Sequence, residues 1–482
     1  MKQITLFITA LLLVGCTSLA DKATETDTTP PIFPDYVGIT VPVNIAPTNF
    51  MIENAQAIEV YICHKEMTLK AKGHNEIDIP SDDWQKLLRH SAGDTLKIKV
   101  YATIEGRTIG YKPFDIIVSP DKIDNYLSYR RIEPGYEVWN NIQIEERDIT
   151  TWETTILADN KLHDNACMNC HTYGNEGRSF FHLRGANGGT ILNNNGILRK
   201  INTRADSLFA AATYGKLHPK GRYGIFSTNI IIPALHSTTT NRMEVYDTKS
   251  DLILIDFEKS CVERVEIATG DNHQETFPTF SADGKRIIFC RAKNKELPDS
   301  LNTLRYDIVS IGFDDETGQV DSEIDTLWNS LTHNASGHFP ACSPDGRWLL
   351  ITTTDYGTFP LWHREADLQL IDMQTGECKE CTGANSDYPD TYHSWSSNSR
   401  WFVFASKRID GMYGIPHFCH VDEHGNTTKA FALPQRHPIE YKNTLRSYNI
   451  PELSPNRANF NALNVEGIAK EKAEVLTLRR VL

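Results

Sequence analysis

Phe339-Pro340-Ala341-Cys342-Ser343-Pro344-Asp345-Gly346-Arg347-Trp348-Leu349-Leu350-Ile351 is the stretch that decides the fold. It reads as a strand, a tight polar turn and an apolar strand. Gly346 stands where a two-residue hairpin loop needs a positive φ. Three other segments align with it: His218 to Ser227, Phe280 to Phe289 and Trp395 to Phe404. Gly221, Gly284 and Gly346 are 63 and 62 residues apart, and Ser399 takes the turn position 53 residues later. A third strand follows, as in Asp251 to Asp256 and Asp367 to Asp372. Met373-Gln374-Thr375-Gly376 then turns into a fourth. Four strands at this period make a propeller blade. One blade cannot bury both its faces, so blades must close into a ring. Tyr129 to Leu157 and Ser179 to Ile201 supply strand-like runs for two more, giving an expected six.

Outward from the repeat, the chain has 482 residues, 40% hydrophobic and 23% charged, a composition with enough apolar surface for a sizeable core. Its net charge of −13, with no clustered Lys/Arg block, argues against nucleic acid as a partner. Before the repeat, Ala57 to Ile62, Thr95 to Tyr101 and Thr108 to Val118 alternate like strands. Only Asp82 to His90 reads as helical, with Ser81 as N-cap. The expected class is all-β: an immunoglobulin-like β-sandwich over 35–122, a propeller over 123–450, and a C-terminal extension over 451–482.

The first residues differ in kind. Lys2 is followed by an almost wholly apolar run from Ile4 to Val14, too short to span a bilayer and suited to a signal-peptide core. Leu13-Val14-Gly15-Cys16 resembles the lipobox of bacterial lipoproteins. That resemblance implies a signal peptide over 1–15, a lipid on Cys16, and a membrane-tethered protein on the periplasmic or outer-surface side of the cell envelope, with the outer membrane expected. The polar, Thr-rich stretch ending at Pro30-Pro31 reads as an unfolded tether over 16–34.

One motif carries chemistry. Cys167-Met168-Asn169-Cys170-His171 has the spacing of a c-type haem attachment site, where two thiols form thioethers and the adjacent His binds iron. Its polar flanks place it in a loop over 159–178. Haem c is the expected cofactor, with His171 the proximal metal ligand. His182, His163, His218 and Met243 are candidate distal ligands, and Arg184 a candidate partner for a haem propionate. The alternatives for Cys167 and Cys170 are a thiol or disulfide pair, or half a zinc site. Cys378-Lys379-Glu380-Cys381 repeats the spacing without a His.

His218, His273, His338 and His393 fall near the starts of blade motifs, where four imidazoles from neighbouring blades would meet a metal in the channel. Cys290 and Cys342 sit in apolar strands and read as buried thiols. Cys261 and Cys378 follow similar strands in different blades, and no disulfide framework is inferred.

Phe339 to Arg347 resembles the TolB-type (WD40-like) propeller repeat, with Cys342 where Trp is usual. Phe277 to Lys285 resembles it with Ala282 in place of Pro, and the copy at Ser399 has lost the Gly. With Pro42 to Pro47, Tyr129 to Tyr136 and His182-Leu183-Arg184-Gly185, the chain is similar to envelope lipoproteins with TolB-like propellers, a likeness that implies fold and location rather than a reaction. Three function classes compete. The first is electron transfer through haem to a redox partner. The second is a non-catalytic scaffold binding envelope proteins or glycans. The third, an enzyme, ranks below them: no catalytic residue is assigned, no Gly-x-Ser-x-Gly elbow occurs, and little chain follows the last blade.

Overall fold

The computed structural model describes residues 18–133, 141–174, 177–185, 187–205, 208–235 and 243–479. The expected signal peptide and Cys16 lie outside the described residues.

Six four-stranded units form a propeller. Blade 2 runs Met168–Tyr173, Arg178–Leu183, Gly189–Asn194 and Ile197–Asn202. Blade 3 runs Ala212–Leu217, Tyr223–Leu235, Met243–Asp256 and Cys261–Arg264. Blade 4 runs His273–Phe280, Arg286–Lys293, Asp307–Asp314 and Gln319–Trp328. Blade 5 runs Ser336–Cys342, Trp348–Thr354, Asp367–Asp372 and Cys378–Glu380, and blade 6 runs Asp390–Trp395, Trp401–Ser406, Ile415–His420 and Phe431–Ala432. Blade 1 takes three strands from one end of the ring, Tyr126–Ile132, Gln143–Asp148 and Thr154–Asp159. Its innermost strand, Ser447–Ser454, comes from the other end and pairs antiparallel with Tyr126–Ile132. That exchange closes the ring, because the inner strand of blade 6 then packs on Ser447–Ser454, which packs on the inner strand of blade 2.

Apolar side chains on the blade faces interleave between neighbours, which is why alternate strands read as nearly continuous hydrophobic runs. Phe180 of blade 2 meets Phe226 and Ile253 of blade 3. Leu254 of blade 3 meets Ile287 and Phe289 of blade 4, and Leu350 of blade 5 meets Phe402 and Phe404 of blade 6.

The repeated turn is longer than a two-residue loop. In blade 5 the Gly346 amide donates to the Ser343 carbonyl (2.9 Å), and Gly346 then takes φ 73°. The Asp345 carboxylate accepts from the Ser343 hydroxyl (2.5 Å) and from the Arg347 amide (3.0 Å). Ser281 and Asp283 repeat these bonds in blade 4. In blade 6, Ser399 holds the left-handed conformation without a glycine, at φ 60°. The side-chain bonds therefore organise the turn, and the glycine relieves the strain of its last residue.

Two boundaries move. The segment expected as a C-terminal extension is part of the ring: beyond the closing strand, the helix Ala462–Ala469 packs on blades 1 and 2. Glu474–Val475 and Thr477–Leu478 then add parallel fifth strands to blades 2 and 3. From Ser18 onward the expected tether is docked rather than loose. The Leu19 amide donates to Glu59 (2.6 Å), and Thr24–Glu25 pairs with Ile109–Gly110. A polar segment needs no apolar area to do this, since an exposed strand edge offers it backbone partners.

The N-terminal domain joins seven strands in one sheet with a small second pair, Ile32–Phe33 and Met51–Ile52. Its helix is Ser81–His90, one residue longer than expected. Pro80, not Ser81, is at the N-cap, and Trp84, Leu87 and Leu88 face inward. The core of this domain is continuous with Trp401, Phe418 and Leu453 of the propeller. Polar bonds tie the same interface: Trp401 Nε1 donates to the Asp121 carbonyl (3.0 Å) and the Ser397 amide to Asp124 (2.8 Å).

A chain ending at residue 446 lacks the closing strand and is expected to lose its single cooperative thermal transition. A chain ending at residue 472 loses Leu476 and uncovers the apolar surface of blades 2 and 3 that it buries. That costs roughly 2 kcal/mol, or a few degrees in Tm. Differential scanning calorimetry of the two truncations checks this.

Candidate functional site: the plugged central channel

The site is built by a deformation common to the inner strands. In each blade the inner strand breaks register with its neighbour at one point. At five of the breaks a non-glycine residue takes positive φ: Cys170 (52°), Phe277 (50°), Phe339 (53°), Tyr392 (50°) and Ile450 (55°). Tyr214 holds the equivalent place in blade 3. Such a conformation costs about 1–2 kcal/mol per residue. It re-aims a side chain that a regular strand would turn into a blade face.

These residues meet on the axis. Ring centroids lie 4.6 Å apart for Tyr214 and Phe277, 4.5 Å for Phe277 and Phe339, and 4.9 Å for Phe339 and Tyr392. Phe359, from the loop between the second and third strands of blade 5, lies 5.6–6.1 Å from all four. Cys170 and Ile450 complete the girdle, and the channel is plugged.

Beside the plug a recess of about 100 Å³ is lined from all six inner strands, with Pro278, Pro340, Ala341 and Ile450 as its apolar walls. Its polar groups are His171, Thr172, Lys216, His393 and Glu452. Lys216 is ion-paired with Glu452 and donates to Thr172 Oγ1 (2.7 Å). Glu452 accepts from Thr172 Oγ1 (2.9 Å) and from the Tyr173 amide (2.6 Å), so its carboxylate is fully occupied. His171 differs. It is 3% exposed, with the Ile450 backbone beside it, and neither ring nitrogen makes a well-formed hydrogen bond to the protein. Burial pushes it down to about 4, against the pull of Glu452, so at neutral pH it offers one N–H donor and one nitrogen acceptor.

The haem expectation meets this geometry directly. The motif is not in a loop: Met168–Tyr173 is the inner strand of blade 2. Cys170 and His171 occupy the places that Phe277-Pro278 and Phe339-Pro340 fill elsewhere. Cys170 sits in the girdle near Tyr214 and Tyr392, and it and His171 both line a recess far below the ~300 Å³ of a small cofactor site. A porphyrin has no room there, so the residues as folded do not fit a haem. Cys167 and Cys170 are free thiols, both pushed up by burial.

The other candidate ligands are structural. His182 donates from Nε2 to the Thr213 carbonyl (2.7 Å) and accepts at Nδ1 from Thr190 (2.8 Å). Arg184 donates to the Ala212 carbonyl (3.1 Å). His218 bonds the Gly284 carbonyl (3.0 Å) and the Lys220 amide (3.2 Å), stapling one turn to the next. His163 lies near Glu466 of the C-terminal helix, and Met243 is buried at the start of a blade 3 strand.

The four channel histidines do not converge. His393 reaches the recess, but its nitrogens meet the Leu350 carbonyl (2.9 Å) and Thr352 (3.3 Å). His338 is bonded to Thr354 (2.8 Å), and His273 lies beside Arg291. Among the described residues no group of three or more His, Cys, Asp and Glu side chains is placed to hold a metal, so the channel histidines share no metal position. Cys290 is buried as expected, Cys342 is half-buried, and Cys378 and Cys381 are free thiols.

Sequence reasoning missed Thr172, Lys216, Glu452, Phe359 and the girdle. A signal was present. Tyr214, Phe277, Phe339 and Tyr392 each stand seven residues before the turn position, at Gly221, Gly284, Gly346 and Ser399. Cys170 stands seven before Gly177, so the motif lies in register with the repeat.

His171→Pro restores the residue found at this place in three blades and is expected to fold at pH 7.5. The depressed His171 pKa makes the unfolded chain bind the extra proton. Its contribution is therefore intact above about pH 6.5 and lost as pH falls towards 4. The variant should escape roughly 3 kcal/mol of acid destabilisation. Urea unfolding of both proteins between pH 7.5 and 4 measures the difference.

No protein-family model matches the sequence, and no curated protein is significantly similar to it. Solved structures share the architecture at low identity. A puromycin-hydrolyzing peptidase of Mycobacterium tuberculosis matches over 83% of this chain and 57% of its own, at 10% identity and a TM-score of 0.38. Prolyl oligopeptidase B of Galerina marginata matches over 81% and 54%, at 10% identity and a TM-score of 0.34. A Bacteroides fragilis protein described as a candidate 6-phosphogluconolactonase matches over 65% and 97%, at 11% identity and a TM-score of 0.34. The chain thus spans little more than half of each peptidase, and no residue role is carried over from any of the three.

Proposed function

We propose that the chain is a lipid-anchored protein of the bacterial cell envelope. In this reading a TolB-type propeller acts as a non-catalytic binding module for an envelope protein or glycan, with the channel recess as its anchoring point. The observation that carries the reading is His171: a buried polar side chain with unfilled hydrogen-bonding capacity, facing an open recess beside Lys216. Buried polar groups are almost always paired, so one left open at a cavity points to something that fills it. The recess suits a small projecting group of a partner, with an apolar body against Pro278 and Pro340 and a hydroxyl or carbonyl at His171. Cys167 and Cys170 are then a thiol pair and a girdle component rather than a haem anchor. The turn motif at Phe339 to Arg347 and the Leu-Val-Gly-Cys leader support the TolB-type and lipoprotein parts.

Cys16→Ser is expected to abolish palmitate incorporation and release the protein from the membrane fraction. Detergent-solubilised full-length protein should retain an envelope partner that Lys216→Glu loses. Equal retention by both proteins overturns the recess as the anchoring point. Expression in a host with haem-attachment machinery should give colourless protein. A Soret band surviving acid–acetone extraction would return the reading to electron transfer.

A further inference from the structure

We propose that Phe359 to Glu365 is a lid on the channel, latched shut by a buried cluster that ties blade 5 to the long hairpin of blade 3. The inference rests on the channel being the functional centre and concerns what controls access to it.

The segment is held along its length, where Arg364 donates to the Asp387 carbonyl (2.9 Å) and Lys407 lies over the Trp362 ring, and at its two ends. The Gly357 amide donates to the Leu304 carbonyl (2.8 Å), and the Ala366 carbonyl accepts from the Asp390 amide (2.9 Å). Between them, Phe359 closes the girdle and His363 makes the latch. His363 is fully buried. Its Nε2 meets Glu244 (3.0 Å) and its Nδ1 meets Glu365 of the lid itself (2.9 Å). Tyr356 donates to the other oxygen of Glu244 (2.8 Å), and its ring stands edge-on to His363 at 4.8 Å.

Glu244 is brought there by an unusual element. The middle strands of blade 3, Tyr223–Leu235 and Met243–Asp256, are 13 and 14 residues long, against 7 and 6 in blade 5. Their excess length carries Glu244 across the ring to blade 5.

A plug held only by packing would need aromatic rings alone. A buried imidazolium between carboxylates costs desolvation that apolar residues of the same shape would not, and it fails as a unit when one member is lost. Two further titratable groups face the cluster: Asp367 lies near Glu365, and His338, which burial and then the charge of His363 push down to about 3, is neutral. Burial alone would lower His363, but its bonds to Glu244 and Glu365 outweigh this and hold it at about 9. The latch is therefore charged at neutral pH and is lost as pH rises through 9. Withdrawing Phe359 would uncover the girdle rings it packs on.

The test is hydrogen exchange on the full-length protein at pH 7.5, with alkylation of Cys170 by a maleimide too large for the recess. In Glu244→Ala and His363→Gln, exchange across 359–366 and labelling of Cys170 should each rise at least tenfold. The strand Trp348–Thr354 and the buried thiols Cys290 and Cys419 should stay protected. Phe359→Ala should raise Cys170 labelling alone. Wild-type rates in the two latch variants overturn the latch, and wild-type labelling in Phe359→Ala overturns the plug. Loss of protection at Cys290 or Cys419 alongside Cys170 also overturns the proposal, since the cluster then holds the fold rather than a lid. Partner retention by Lys216→Glu reads the recess independently of these outcomes.

Discussion

The propeller depends on a constraint at its axis. Six inner strands must approach one another closely, yet a regular strand turns its side chains onto the blade faces and leaves the centre unfilled. The register break in each inner strand resolves this by inserting a residue whose side chain is re-aimed inward. Five non-glycine residues accept a left-handed backbone for it. That cost is offset by the stacking of Tyr214, Phe277, Phe339 and Tyr392 around Phe359, since aromatic pairs contribute about 0.5–1.5 kcal/mol beyond their buried area. Plug and recess are consequences of the same deformation.

Closure of the ring adds a second constraint. Blade 1 is shared by two distant parts of the chain, so the ring is not closed before Ser447–Ser454 is in place. Glu452 lies on that closing strand and forms the recess with Thr172 of blade 2 and Lys216 of blade 3. The polar floor of the recess therefore exists only in the closed ring. The N-terminal domain shares a core with blades 6 and 1, next to the seam, where an open ring is weakest.

The buried histidines show how burial separates roles among like residues. His182, His218 and His393 each engage both ring nitrogens and serve as neutral hydrogen-bonding struts. His363 has two carboxylates as partners and is held charged. His171 has no well-formed partner, and it alone of these five faces the recess with open hydrogen-bonding capacity. Residue type and spacing do not distinguish these cases. Partners brought in from other blades do.

Local pattern alone determined the blade hairpins, their period and their number, because alternation and turn chemistry act over a few neighbouring residues and are written in Phe280 to Phe289 or Cys342 to Ile351. The helix near Ser81 was legible for the same reason. The docking of Ser18 to Glu25 was not, because it rests on backbone pairing to an edge strand that composition does not encode. The Cys-x-x-Cys-His motif reads as a loop from its polar flanks alone, although the seven-residue step from Cys170 to Gly177 marks it as an inner strand of the repeat. The tertiary structure alone decided that Cys170 faces a girdle, that His171 faces a recess with Lys216 and Glu452, and that Glu244 reaches His363 across the ring. These groups are separated by tens to hundreds of residues in the chain. Only closure around a common axis sets the distances on which their charges and hydrogen bonds depend.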